Sequence, residues 1–427
     1  MPGSAIVQAG NYSLLVDTGY DVGSFQLDSD IKGLLDGVYP LGPTTDFADV
    51  TDSVTQISVR RGRQDIGDQF SAGTMTFTIN DVDGIFNPFD DTSPFYNTPE
   101  ALPGLSPLRA VELIRYDIAN NPEYLYRGKI VNYDYNFALD GIDSVTVYCS
   151  DNFYLLSQTY MDELNVGVET SGQRIETVLS LPEVDYPTGA ARNINVGTVD
   201  LGHDAAYTVP SGTNVLSYLS QINQTAEFGR LFMSRAGVLT FTPRVSTTLS
   251  GSVADFHDDG TEIPFDNLGI TFEADSVTNR ALVENLGTAV ATADDLASQA
   301  LFFIQTNSIT NSLLDDTELA TAATYLLDPY PEARYNSVET VFGALTNAQR
   351  DTVAVIDISD TISIEKTFVT GATTTVLAQE LSVEGIEHEI SLSGHRVRLF
   401  TSPTTIVFEL VLDDAQYGTI DTTNVLG

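Results

Sequence analysis

The chain has 427 residues with 42% hydrophobic content, too long for one ordinary core and too apolar for wholesale disorder, so roughly two to four packed domains are expected. Its 59 acidic residues against 19 basic ones give a formal net charge of −40, which argues against tight phosphate binding, since nucleic-acid binders cluster Lys and Arg. The single cysteine, Cys149, excludes an intrachain disulfide and a thiolate metal cluster.

No apolar run approaches the roughly 18–20 residues that span a bilayer. The opening "MPGSAIVQAGNYSLL" has no basic start and no long apolar stretch, so no cleaved secretory signal is expected. Only Lys32, Lys129 and Lys366 are lysine; the other 16 bases are arginine. That bias suits a GC-rich genome, a salty habitat, or a surface past which nucleic acid slides without sticking.

Residues 1–44 read as an N-terminal arm, and strand-like alternation dominates 45–150. In "TMTFTIN", Met75, Phe77 and Ile79 face one way and Thr74, Thr76 and Thr78 the other, a half-buried strand. "DVDGIFNP" carries Asp-Gly and Asn-Pro turn signals, and "RAVELIRYD", "YLYRGKIVNYDYNF" and "DSVTVYCSD" follow as further strands. This predicts a first β-domain.

Composition shifts over 151–262. "GQRIETVLSLP" sets Ile175, Val178 and Leu179 at helical spacing before Pro182. "TNVLSYLSQINQTAEFG" predicts a second helix with Thr213 as cap, a stripe of Val215, Leu216, Leu219, Ile222 and Ala226, and Gly229 at its end. The strands "RLFMSR" and "VLTFTPR" join through Ala236 and Gly237, which completes a small α+β domain.

Strands return over 263–403, with a helical insertion near 294–328. There, "DDTELATAATYLLDPYP" has an acidic start, a stripe of Leu319, Ala322, Ala323 and Leu326, and a stop at Pro329. "RYNSVETVFG", "DTISIEKTFV", "TTTVLAQELSVEGIEHEI" and "RVRLFTSP" complete a second β-domain, and 404–427 form a C-terminal arm. The expected fold class is mainly β, with two β-domains flanking an α+β insert and extended terminal arms.

The two arms share an element. Residues 25–42, "FQLDSDIKGLLDGVYPLG", align without a gap to 410–427, "LVLDDAQYGTIDTTNVLG", with six of 18 positions identical. These are Leu27/Leu412, Asp28/Asp413, Gly33/Gly418, Asp36/Asp421, Leu41/Leu426 and Gly42/Gly427. Two similar terminal elements point to two equivalent docking surfaces, as in stacked or ring-like assemblies. Gly33 and Gly418 would permit a turn, while the paired leucines anchor it.

Chemistry-bearing constellations are poor. "GIEHEISLSGH" places His388 between Glu387 and Glu389, but on a strand the histidine faces away from both, and the helical metalloprotease spacing is missing. His203 and His257 lie beside aspartates in loops, where adjacency in sequence does not build a triad. "NDVDGIFN" starts like a calcium loop without the twelve-residue ligand pattern, and there is no Gly-rich phosphate loop. We therefore expect no catalytic residues, no metal and no cofactor.

One stretch is out of character with the charge. "ISVRRGRQDIGDQF" sets Arg60, Arg61 and Arg63 within four positions of a very acidic chain. They could be a solvated strand end or pair locally with Asp65 and Asp68. Alternation, however, sends Arg60 and Arg61 to opposite faces, so one local partner cannot serve both.

"ISVRRGRQDIGDQFSAGTMTFTINDVDGIFNP" resembles the opening of minor tail proteins of long-tailed (siphovirus-type) bacteriophages, particularly those of actinobacteria. "AEFGRLFMSRAGVLTFTPR", "TISIEKTF", "LSVEGIEHEISLSGHRVRLFTSP" and "LDDAQYGTIDTTNVLG" resemble the same family's later landmarks, in order, so the resemblance covers most of 25–427. It implies a tail-tip protein of the baseplate-hub type, with two tail-tube-like β-barrel or sandwich domains flanking a smaller insert. Three such chains would form a ring of six similar units, matching a six-fold tube above and a three-fold fibre or spike below.

The implied setting is the virion, assembled in the host cytoplasm. The implied partners are copies of the chain in a homotrimer, the distal tail protein, the tape measure protein and fibre proteins. Genome DNA would pass without specific binding. A hexameric distal tail ring is the nearest alternative; a wall-degrading or sugar-binding tip protein fits less well, given the missing acid/base motif and the absence of tryptophan. In such an acidic assembly, at least one of Arg60, Arg61 and Arg63 is expected to bridge to carboxylates of an adjacent domain or subunit. Exchanging all three for glutamate is then expected to spare the monomer and block assembly.

Overall fold

The computed structural model describes residues 11–18, 47–64, 69–96, 101–139, 141–244, 251–331, 333–371 and 373–403, with short pieces at 408–409 and 424–425. The shared terminal element lies almost wholly outside the described residues. So do Leu27, Asp28, Gly33, Leu412, Asp413, Gly418 and Leu426, and also Asp65 and Asp68.

The chain is mainly β. Its first part holds β1 (Tyr12–Asp17), β2 (Phe47–Asp49), β3 (Val54–Gly62), β4 (Ser71–Asp81), β5 (Ala110–Tyr116), β6 (Pro122–Asn136) and β7 (Asp143–Ser150). Alternation decides which side chains are buried: Met75, Phe77 and Ile79 are fully buried, while the threonines between them face outward. The insert carries α1 (Ser171–Leu179), α2 (Val215–Ile222), β8 (Arg230–Met233) and β9 (Leu239–Thr242).

The last part runs through β10 (Ala254–His257), β11 (Asn267–Thr271), β12 (Arg280–Asn285), β13 (Val290–Asp294), α3 (Leu296–Phe302) and β14 (Thr306–Ser312). It continues with α4 (Leu319–Tyr325), β15 (Arg334–Val341), β16 (Thr361–Thr370), β17 (Thr373–Ser391) and β18 (Gly394–Pro403).

Both β regions enter one 13-stranded sheet, in the order β11-β15-β18-β17-β3-β4-β7-β6-β5-β1-β2, with β16 beside β17 and β10 beside β16. The link is the antiparallel pairing of β3 with the C-terminal half of β17, from Gly62↔Gly385 to Gln56↔Ser391. One hydrophobic core accordingly runs from Tyr12 in β1 to Leu399 in β18.

A second core belongs to the insert, and it reaches beyond residue 262. Ala281 and Val283 of β12, Leu313, Leu314 and the Leu319, Ala322 and Ala323 stripe of α4 pack with Ile175, Leu219 and Phe241. The stretch 280–325, read from sequence as part of the second β-domain, is thus held by the insert. Ser312 Oγ donates to the Thr225 carbonyl, and Tyr207 Oη to that of Leu314.

Two helix ends differ from expectation. Asn214, not Thr213, caps α2 by accepting from Ser217 N at 3.0 Å, while Thr213 donates its hydroxyl to the Pro210 carbonyl. Past Ile222 the chain makes a π-turn over Asn223–Glu227, and Phe228 rather than Gly229 takes the left-handed conformation, at φ 54°. Helix α1 carries a full capping box from Thr170 and Gln173.

Candidate functional site: a three-way ionic junction

Strand β17 changes partner midway. Residues up to Ser382 pair with β16, and from Gly385 onward the same edge pairs with β3. At that point the pairing of β17 with β18 is bulged between Val383 and Gly385, and the pairing of β3 with β4 between Arg60 and Gly62. Gly62 has φ +81°, and a Cβ there would stand 2.2 Å from the Glu384 carbonyl oxygen. Only glycine lets the backbones approach this closely.

Glu384 stands at this crossing with its side chain 1% exposed. Arg63, just past the end of β3, donates from Nε to Oε2 at 2.9 Å, and its Nη2 stands 2.9 Å from the same oxygen. Arg230 of β8 donates to Oε1 from Nε at 3.0 Å and from Nη2 at 2.7 Å. Ser402 of β18 donates to the same oxygen at 2.6 Å. Burial alone would raise the Glu384 carboxyl, but Arg230 and Arg63 outweigh it and hold it below the usual range. One carboxylate therefore ties the first β region, the insert and the last β region together.

Arg61 lies on the buried face of β3, with Ile57 and Val59. Its Nη1 donates to Asp357 Oδ1 at 2.6 Å, while Arg235 N donates to Asp357 Oδ2 at 2.8 Å. Fully buried Asp151 lies nearby and accepts from Gly73 N and Phe153 N at 2.6 and 2.9 Å. Burial pushes Asp151 up to about 7, against the pull of those amides and Arg61. A small apolar cluster of Phe70, Phe232 and Ile358 takes one residue from each of the three parts, and the Arg63 guanidinium lies 4.5 Å above the Phe70 ring.

Arg60 faces outward, half exposed, with Nε 3.5 Å from Glu387 Oε1 of its cross-strand neighbour. The adjoining outer face of the sheet carries Glu339, Glu389, Arg396 and Arg398, with Arg396 3.1 Å from Glu339. The three arginines thus serve both faces, and each stands against a carboxylate of the last β region of the same chain. Among the described residues, fourteen arginines stand within 4.0 Å of a carboxylate of this chain. Because Arg61 and Arg63 are buried in such pairs, replacing all three residues would attack the fold itself and could not leave the monomer intact.

The structure also brings together the two histidines of "GIEHEISLSGH". His388 faces the core, away from Glu387 and Glu389 as alternation requires, and its Nδ1 lies 3.0 Å from Nε2 of His395 on β18. His395 Nδ1 in turn lies 2.5 Å from Tyr12 Oη. Burial pushes His388 down to about 3 and His395 well below its ordinary range, so both stay neutral. Sequence reasoning does not single out Glu384, Asp357 or Arg230. For Glu384 a signal existed: "VEG" interrupts the alternation of "LSVEGIEHEI" with a glycine, the mark of a bulge.

With this geometry in place, the fold is similar to that of a tail protein from Neisseria meningitidis MC58, with a TM-score of 0.55, 13% identity, and 92% of this chain and 97% of that one covered. It is also similar to the 43 kDa tail protein of prophage MuSo2 from Shewanella oneidensis, with a TM-score of 0.53, 11% identity and the same coverages. At these identities the likeness is one of fold. No protein-family profile matches the sequence, and no curated protein does.

Proposed function

We propose that this chain is a structural protein of a bacteriophage tail tip, of the baseplate-hub type. A trimeric ring of it closes the six-fold tube, surrounds the channel for the ejected genome, and presents three-fold symmetry to distal fibre or spike proteins. Its neighbours would be the distal tail protein and the tape measure protein, and its place the virion. The observation that carries this reading is the fold shared over 92% of the chain with the prophage tail protein of Shewanella oneidensis and the tail protein of Neisseria meningitidis.

The ionic junction gives the reading a physical basis. A hub subunit must keep two β regions at a fixed angle while neighbours pull on them. The continuous β3–β17 pairing and the Glu384 clamp supply that rigidity inside one chain. The terminal element shared by 25–42 and 410–427 would dock on equivalent surfaces of neighbouring subunits.

Light scattering of the purified chain tests the stoichiometry: three copies support the hub, and six would replace it with a distal ring. Deleting the last 18 residues, 410–427, should leave a folded chain that incorporates poorly into tails. Clearing of a host-wall suspension by the purified chain would overturn the non-enzymatic reading.

A further inference from the structure

Strand β4 ends at Asp81, the first aspartate of "NDVDGIFN", and β7 begins at Asp143 directly opposite it. Alternation sets both on the core side of the sheet, in line with buried Ile79 and Val145. Tyr135 of β6 reaches the same spot, with Oη 2.7 Å from Asp81 Oδ2 and 3.3 Å from Asp143 Oδ2. Each carboxylate also anchors a loop. Phe86 N donates to Asp81 Oδ2 at 3.0 Å, and Ala138 N donates to Asp143 Oδ1 at 2.8 Å.

The hydrogens at hand do not satisfy these oxygens. A phenol has one hydrogen, so Tyr135 can donate to only one of the two carboxylates. Tyr133, on the same face of β6, gives its own hydrogen to the Phe86 carbonyl. Asp81 is 3% exposed, and its Oδ1 is buried with no hydrogen-bond donor. Among the described residues neither aspartate forms an ion pair with arginine, lysine or histidine. A buried carboxylate stays charged only beside a cation or within a full set of donors, and the protein gives Asp81 neither.

We propose that Asp81 and Asp143 bind a divalent cation of the calcium class, through Asp81 Oδ1 and the Asp143 carboxylate. Its two positive charges answer the two aspartates, and a donor set of oxygens suits a hard cation over zinc or copper. A calcium ion lies about 2.3–2.6 Å from its oxygens, so two carboxylates that reach one phenol can share it. Among the described residues no third carboxylate or histidine joins the pair, so neutral oxygens and water complete the shell. That places the site among the weaker calcium sites, with a dissociation constant of about 10⁻⁴–10⁻³ M. The ion ties the loop after β4 to the turn before β7, and it binds whatever assembly the chain enters.

The test uses the full chain stripped with a chelator. Calcium is titrated in while the thermal midpoint is followed, and terbium, a calcium stand-in, is titrated in parallel. The chain has no tryptophan, so terbium emission under ultraviolet excitation reports a tyrosine beside the ion. The expected result is a saturable rise in midpoint with calcium, and tyrosine-sensitised terbium emission that calcium displaces. Asp81→Asn and Asp143→Asn should each weaken binding by about tenfold or more. In chelator both should melt no lower than the wild type, since each removes an unpaired charge. Asp134→Asn, on the opposite face of β6 where Asn132 donates to that carboxylate at 3.2 Å, should bind as the wild type does. An equal calcium response in the wild type, Asp81→Asn and Asp143→Asn would put the ion on the acidic surface and overturn the site. No calcium response in the wild type overturns it as well, and assigns the pair a shared proton instead.

Discussion

Replacing Glu384 by glutamine keeps its shape and removes the negative charge that Arg63 and Arg230 share. Those arginines have side chains only 12% and 22% exposed, so neither regains full hydration when the charge is gone. Removing one partner of a buried ion pair costs about 3–5 kcal/mol. The retained amide oxygen and the partial exposure of both arginines place this change at the low end, about 3 kcal/mol. At about 2 °C per kcal/mol, as for domains of 150–250 residues, the thermal transition should fall by about 6 °C.

Scanning calorimetry measures that shift, and hydrogen exchange should locate the loosening in the β8–β9 hairpin rather than in β4 and β7. The same substitution in an Arg63→Met, Arg230→Met chain should cost far less, because the partners are already gone. The pH dependence has a definite sign. Glu384 is held below its ordinary value of 4.5, so its contribution is complete above that pH and is lost as pH falls through the lowered value. The gap between wild type and variant should therefore close in acid. A shift under about 1 °C at neutral pH, where about 2 °C per kcal/mol applies, or an equal cost in the arginine-free background, would refute the clamp.

Gly62→Ala places a Cβ 2.2 Å from the Glu384 carbonyl at φ +81°, and should lower stability by at least about 1–3 kcal/mol in urea titration; an unchanged midpoint would disprove the tight crossing. His388 and His395 are neutral when folded but bind protons near 6.5 when unfolded, so stability should fall as pH drops below that value. The slope is up to about 1.4 kcal/mol per pH unit for each histidine, and His388→Gln should flatten it. Arg60→Glu should change stability by no more than about 1 kcal/mol, whereas Arg61→Glu buries a third carboxylate beside Asp357 and Asp151 and should unfold the chain in circular-dichroism melts. Equal effects of the two would show that burial does not separate them.

Much of the local architecture was legible because it depends on short-range periodicity. The 2-residue alternation of "TMTFTIN", the 3.6-residue stripe of Leu319, Ala322 and Ala323, and the opposite facing of Arg60 and Arg61 follow from backbone geometry and hold in the structure. The cap of α2 falls one residue later than expected: Thr213 gives its hydroxyl to the Pro210 carbonyl, and the neighbouring Asn214 accepts from Ser217 N. Two adjacent residues that can both cap leave the choice open in the sequence.

What the sequence determined, then, is the mainly β class, the helical insert and a cluster of arginines in need of partners, since each rests on composition or on neighbours within a few residues. Which carboxylates answer those arginines was decided only by tertiary pairing. Arg63 meets Glu384 across 321 positions and Arg61 meets Asp357 across 296, because β3 happens to lie beside β17. The same pairing fused two β regions into one sheet, while packing drew 280–325 into the insert's core. Long-range register is set by the sum of many weak burial terms, and a linear pattern records each term without recording its partner.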